Sequence, residues 1–162
     1  MKRGTILGII CLASSFIFPV TGFAYDGKAY PGSMCQAYFG GNVNRINKYD
    51  GGKSTNVSNS AVWVTCPVVK DNLLNRNGTY FVTMVVWRGT NANDAFYCKF
   101  QNTDETGQVV FSDDEISYLS GNTTLTFGLT RNNLRSSYVF LCRIPTNSEI
   151  ISYVVDEYDS NI

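Results

Sequence analysis

The sequence predicts an all-β fold: an antiparallel β-sandwich, jelly-roll-like, tied by two disulfides and following a cleaved signal peptide. Three observations predict it. Strand-length apolar or alternating segments recur at regular spacing between Asn, Gly, Asp and Ser turns, and no stretch holds a helical period. The chain starts as an export signal does, which directs the remainder to an oxidising compartment. Beyond that signal four cysteines remain, Cys35, Cys66, Cys98 and Cys142, an even number.

The export signal comes first. Lys2 and Arg3 precede an apolar run over 6–20, and Gly22-Phe23-Ala24 sets small residues at both recognition positions, so cleavage is expected after Ala24. The run is too short for a spanning helix, so no stable membrane insertion is expected after cleavage. Cys11 leaves with the signal. Ile9 and Ile10 stand before it where a lipid-anchored chain would need small residues. Domain organisation follows: 1–24 is signal peptide and 25–162 a single sandwich domain, exported to the periplasm or beyond the cell.

The central strand is expected over 61–71, AVWVTCPVVKD. Val62, Val64 and Cys66 share one face and Trp63 and Thr65 the other. Pro67 lacks a backbone donor, so the ladder is expected to loosen there. Before this strand, 25–33 reads as a mobile lead-in, 34–38 as a short strand holding Cys35, 39–42 as a turn and 46–49 as another short strand. The stretch 50–60 is polar, with two glycines, and reads as a loop.

After it, 72–78 contains Asn77-Gly78, a hairpin signal. The segment 79–88, TYFVTMVVWR, is the most strand-like, with β-branched and aromatic residues throughout. A turn at 91–94 leads to strand 95–101, AFYCKFQ, with Phe96, Cys98 and Phe100 on one face. Then come a turn at 102–107, a short apolar strand at 108–112, and a polar stretch at 113–122 that could hold one helical turn. Strands follow at 123–129, at 137–144 (stopped by Pro145) and at 150–158, with a loop at 130–136. The tail 159–162 is expected to fray.

Four cysteines allow three pairings. The sequential one, Cys35–Cys66 and Cys98–Cys142, is favoured because each bond then closes one half of the chain. Loops of this size contribute about 3.5–4 kcal/mol each in the chain-entropy model.

Taken in order, Cys35, VTCPVVKD, FYCKF, YVFLCRIP and the closing ISYVVDE resemble a family of small exported bacterial proteins without an assigned activity. Its pattern is Cys…CPVVKD…Cys…CxIP, and the likeness covers about 35–157. The resemblance implies a disulfide-stapled β-sandwich in an exported bacterial protein. The sequential pairing fits it, and it transfers no activity.

Composition narrows the chemistry. The chain has no histidine, so Ser-His-Asp and Cys-His catalysis and mixed Cys/His zinc sites are excluded as built from this chain alone. Export favours disulfides over a four-cysteine zinc site. Of 13 basic residues Lys2 and Arg3 leave with the signal, so the 13 acidic ones give the mature chain a slight negative excess. No basic block is present, and nucleic acid is a poor partner. Asp113, Asp114 and Glu115 lack the spaced pattern of a calcium loop. No metal and no cofactor are expected.

Asp104-Glu105, Asp113-Asp114-Glu115, and Asp156-Glu157 with Asp159 supply neighbouring carboxylates, but nothing in the sequence selects a facing pair of the kind glycoside hydrolysis needs. Asn56-Val57-Ser58, Asn77-Gly78-Thr79 and Asn122-Thr123-Thr124 match the glycosylation acceptor, as chance matches in an Asn-rich bacterial chain.

The informative residues are aromatic. Trp63 lies opposite Cys66, and Phe81 and Trp87 share one face of a strand whose other face is also apolar. Trp63, Phe81 and Trp87 are therefore the expected ligand or partner surface, for a protein or a glycan. The reading is a non-enzymatic binding or interaction module. Its rivals are a secreted carboxylate-dependent hydrolase and a fimbrial-like surface-assembly subunit that exchanges its last strand. The bland reading of that last strand is an ordinary edge guarded by Asp156 and Glu157.

Overall fold

The computed structural model describes residues 26–38, 40–69, 79–90, 92, 94–128 and 137–157. The expected signal peptide with Cys11, and the turn, loop and tail expected at 72–78, 130–136 and 159–162, lie outside them.

Eleven strands follow in chain order among these residues. They are β1 (Asp26–Pro31), β2 (Gln36–Ala37), β3 (Ile46–Lys48), β4 (Ser54–Asn56), β5 (Val62–Val68), β6 (Thr79–Arg88), β7 (Phe96–Thr103), β8 (Val109–Ser117), β9 (Gly121–Phe127), β10 (Ser137–Ile144) and β11 (Glu149–Glu157). The first sheet runs β3-β4-β11-β6-β9, with β1 also on β11, and the second runs β2-β5-β10-β7-β8. Pairing is antiparallel throughout. From β5 onward the chain changes sheet at nearly every step, the alternation of a jelly roll. The protein is an antiparallel β-sandwich with two disulfides.

The two-residue period decides what faces inward. Val62, Val64 and Cys66 of β5, Val82, Met84 and Val86 of β6, and Phe96, Cys98 and Phe100 of β7 are all buried, as the alternation predicts. Phe140 of β10 is the hub of an aromatic cluster. Its ring centroid lies 5.0 Å from Phe100, 5.3 Å from Phe127 and 5.3 Å from Tyr153. Residues from both sheets thus interdigitate, and this apolar contact is what holds the layers face to face.

The disulfides are Cys35–Cys66 and Cys98–Cys142, the sequential pairing. Cys98–Cys142 ties β7 to β10, while Cys35–Cys66 ties β5 to the residue just before β2, which is shorter than the expected 34–38 strand and leaves Cys35 outside it. Cys98 stands directly opposite Cys142 in the β7–β10 register. Met84 of the first sheet packs over that bond, its Sδ 3.4 Å from Cys98 Sγ and 3.5 Å from Cys142 Sγ. The covalent ties therefore rigidify one layer rather than joining the two.

Several expectations are corrected. The 25–33 lead-in is a strand: β1 pairs with β11 along its length, and Tyr30 stacks on Tyr153 with centroids 5.0 Å apart. The 50–60 loop contains β4, which pairs with β3 and β11. β4 escaped notice because its anchor is polar. Asn56 is fully buried, and its amide donates to Ser60 O at 2.8 Å and Ile144 O at 2.9 Å. Its Oδ1 accepts from Ser58 N at 2.9 Å and Ser58 Oγ at 2.8 Å. With every polar position used, this amide is no glycosylation acceptor.

The polar stretch 113–122 makes no helical turn. It completes β8 and begins β9. On β8, Asp113 and Glu115 alternate toward the interior side, a device that guards a sheet edge, and Asp113 Oδ2 accepts from Gly128 N at 2.6 Å.

Pro67 does not loosen the β5–β10 ladder: Val139 pairs with it and Tyr138 with Val68. The reason is strand polarity. Trp63 O accepts from Tyr38 N on the β2 side, and alternation points Pro67 to that same side, beyond the end of β2. There Tyr153 Oη donates to Pro67 O at 2.6 Å. Tyr30 Oη donates to Val69 O at 2.9 Å and accepts from Val69 N at 3.2 Å. Two tyrosines of the first sheet thus clamp the end of β5. Burial first, and then the neighbouring Tyr30, raises the Tyr153 phenol well above its ordinary value.

Finally, β11 is no edge. It lies between β6 on one side and β1 with β4 on the other. The expectation of an ordinary edge guarded by Asp156 and Glu157 is thus corrected. Gly32 marks the close approach that seats β1 there: a Cβ at this position would stand 2.0 Å from Ile150 O.

Candidate functional site

The three sequence-predicted surface residues do not form one surface. Trp63 lies on the outer face of the second sheet, whereas Phe81 and Trp87 lie on the outer face of the first. Phe81 and Trp87 do share a face, but they sit six residues apart along β6, about 20 Å.

The Trp63 face is built by register. Arg143 of β10 stands opposite Trp63 of β5 on one side and Tyr97 of β7 on the other, and Tyr97 stands opposite Ile116 of β8. One row therefore crosses four strands in the order Trp63, Arg143, Tyr97, Ile116, about 14 Å from end to end. The indole meets the Tyr97 ring edge-on, with centroids 5.8 Å apart. These residues, with Ala95 and Tyr118, line an open and mostly apolar hollow of about 370 Å³.

Charge in this hollow is fixed by pairing. Arg143 Nη2 donates to Asp94 Oδ2 at 2.9 Å, which restrains the guanidinium. Tyr118 is 73% exposed and offers its ring at the rim.

The rim loops are secured from the other sheet, by a residue that sequence reasoning missed. Arg88, at the end of β6, donates through Nε to Asp94 O at 2.9 Å and through Nη2 to Ala92 O. Its Nη1 donates to Tyr118 O at 3.0 Å and Ser120 Oγ at 3.3 Å. One guanidinium thus buckles Ala92 and Asp94 to Tyr118 and Ser120. The only hint in the sequence is a charged residue closing an apolar strand.

The Trp87 face is more polar. Trp87 stands opposite Glu149 of β11 and Asn122 of β9. Together with Lys53 they line a second hollow, of about 340 Å³. Glu149 Oε2 lies 3.3 Å from Lys53 Nζ, and its Oε1 accepts from Thr55 Oγ1 at 3.2 Å.

The Asp104 carboxylate is committed to a turn. Asp104 Oδ1 accepts from Thr106 Oγ1 at 2.7 Å, Thr106 N at 2.9 Å and Gln108 N at 2.9 Å. The Thr106 hydroxyl, then the Gln108 amide, holds this carboxyl below its ordinary value. Among the described residues, no group of three metal-ligating side chains converges, and no helix is long and apolar enough to cross a membrane.

No protein-family model matches the chain, and no curated protein does. Several solved structures are similar in part. One is a GH26-CBM35 β-(1,4)-mannanase from Podospora anserina, at TM-score 0.49 and 8% identity over 84% of this chain. Another is the C-terminal CBM6 of a marine laminarinase from Zobellia galactanivorans, at TM-score 0.49 and 13% identity, covering 81% of this chain and 99% of that one. A third is the xylan-binding module CBM15, at TM-score 0.47 and 14% identity, covering 83% and 97%. The chain spans 28% of the mannanase chain it matches.

Proposed function

We propose that this protein is an exported, non-catalytic module that holds a carbohydrate chain on the outer face of its second sheet. The observation that carries this reading is the row Trp63–Arg143–Tyr97–Ile116 with the Tyr118 rim. A sugar ring has apolar C–H faces and a polar hydroxyl girdle. Aromatic side chains take the first, and a fixed Arg–Asp pair takes the second. Arg143, pinned by Asp94, keeps donors free for hydroxyl oxygens at small entropic cost.

The absence of histidine supports a passive role. So does the Trp63 hollow, where Asp94, the carboxylate beside it, is held in an ion pair with Arg143 at 2.9 Å. Two disulfides suit an oxidising, exported setting.

Affinity electrophoresis through gels containing xylan, galactomannan, laminarin or hydroxyethyl cellulose tests the reading. Retardation in at least one gel, lost in Trp63→Ala and Tyr97→Ala proteins of unchanged melting temperature, is the expected result. Migration unaffected by all four polymers, or equal retardation of the variants, overturns it. The exposed Ile116, Tyr118 and Leu119 support a second reading, a protein partner at the same rim. In that case Leu119→Ser, and not Trp63→Ala, would abolish capture of the partner.

A further inference from the structure

The hollow at Trp87 lies on the face turned away from the Trp63 row and has a different chemistry. Its four lining residues come from three strands of the first sheet and the segment before β4. Trp87 is flanked in register by Glu149 and Asn122, so both polar groups stand beside the indole. Trp87 and Glu149 are half-buried, and Asn122 is exposed.

Glu149 is the organising group. Its two oxygens each have one protein partner, Lys53 at 3.3 Å and Thr55 at 3.2 Å. A carboxylate offers about four acceptor positions, so acceptor capacity remains on each oxygen after those partners are counted. Lys53 has further donors, and the Asn122 amide offers a donor and an acceptor. The positive and negative charges cancel. An anionic ligand would meet Glu149 and a cationic one Lys53, so the hollow favours a neutral ligand rich in hydroxyls. At about 340 Å³ it lies near the lower end of ligand clefts, roughly 300–1,000 Å³.

We infer that Trp87, Glu149, Asn122 and Lys53 form a second, independent site for a single neutral sugar ring, such as the end of a glycan. The indole stacks on the C–H face of the ring. Glu149 accepts from its hydroxyls, and Lys53 and Asn122 donate to its oxygens. If the Trp63 face also binds glycan, a step that rests on the function proposed above, the sandwich presents two sites back to back. One molecule then bridges two glycans.

The chain has two tryptophans, so a ¹⁵N-labelled sample gives two indole N–H signals, one for each face. Trp63→Phe assigns them. The oxidised protein is titrated with D-glucose, D-galactose, D-mannose and N-acetyl-D-glucosamine. At least one sugar should shift the Trp87 signal saturably, with the same affinity in the Trp63→Phe protein. Glu149→Ala and Asn122→Ala should weaken that binding, the first by about tenfold. Asn122→Ala, at an exposed position, keeps the test valid if Glu149→Ala does not fold. The inference is overturned if no sugar moves the Trp87 signal, or if the variants titrate like the parent. Movement of the Trp63 signal alone sinks this inference and leaves the proposed function standing. Movement of the Trp87 signal alone supports this inference and leaves the Trp63 reading, which concerns a glycan chain, to be decided by the polysaccharide gels.

Discussion

Replacing Arg88 should damage both stability and the Trp63 face, although Arg88 does not line the hollow. Its guanidinium serves three carbonyls, those of Ala92, Asp94 and Tyr118, and the Ser120 hydroxyl. The Tyr118 and Ser120 bonds are exposed, so water replaces them at little cost. The Asp94 and Ala92 bonds are partly buried. A net hydrogen bond from a charged group contributes about 1.5–3 kcal/mol. Discounted for the half-exposed side chain, Arg88→Ala should cost about 3 kcal/mol. For a domain of this size that is a fall of about 10 °C in melting temperature.

Arg88→Lys keeps the charge but has one nitrogen where the fork had three, so it should recover less than half of the loss. Hydrogen exchange followed by mass spectrometry reads the local effect. Amides of 92–95 and 118–120 should exchange faster in both variants, while those of β10 and β11 change only with global stability. A drop below about 1 kcal/mol in Arg88→Ala, or unchanged exchange in both loops, would refute the buckle.

Three further outcomes follow from the packing. Asn56→Ala strips partners from Ile144 O and Ser58 N and should lower stability in urea by about 2–4 kcal/mol, with the m-value unchanged. Tyr153 keeps its proton in the folded state at a pH where the unfolded phenol, with a value of about 10, has lost it. Stability from this group is therefore full below about pH 10 and falls as pH rises above it, and Tyr153→Phe should flatten that alkaline limb in melting curves. Joint replacement of Cys98 and Cys142 by alanine reopens a loop with a sequence separation of 44, and should cost up to about 4 kcal/mol in denaturant unfolding.

What the sequence made legible was local. The two-residue period gave the inward faces of β5, β6 and β7, because each strand pattern depends only on its own side chains. Cysteine parity indicated two disulfides, and the sequential pairing, favoured among three because each bond closes one half of the chain, is the one found. What escaped depends on neighbours far away in the chain. β1 and β4 have no apolar signature of their own, and each is a strand because β11 stands beside it. Pro67 was misjudged because its effect depends on which side of β5 its missing donor points to.

The aromatics show the same limit. The period places Trp63 and Trp87 on faces of their own strands, but not on opposite sides of the sandwich. Glu149 and Asn122 become neighbours of Trp87 only through the order β11-β6-β9. Arg88, which organises the loops around Trp63, acts entirely through backbone carbonyls, and no residue pattern in the sequence reports such a role.

Calorimetric titration with xylohexaose, mannohexaose, laminarihexaose and cellohexaose tests the central claim most directly, using the parent protein and its Trp63→Ala variant. Saturable binding of at least one oligosaccharide by the parent, weakened tenfold or more in Trp63→Ala at unchanged melting temperature, is the outcome predicted. Equal affinity in the two proteins, or no heat from any of the four, would contradict it.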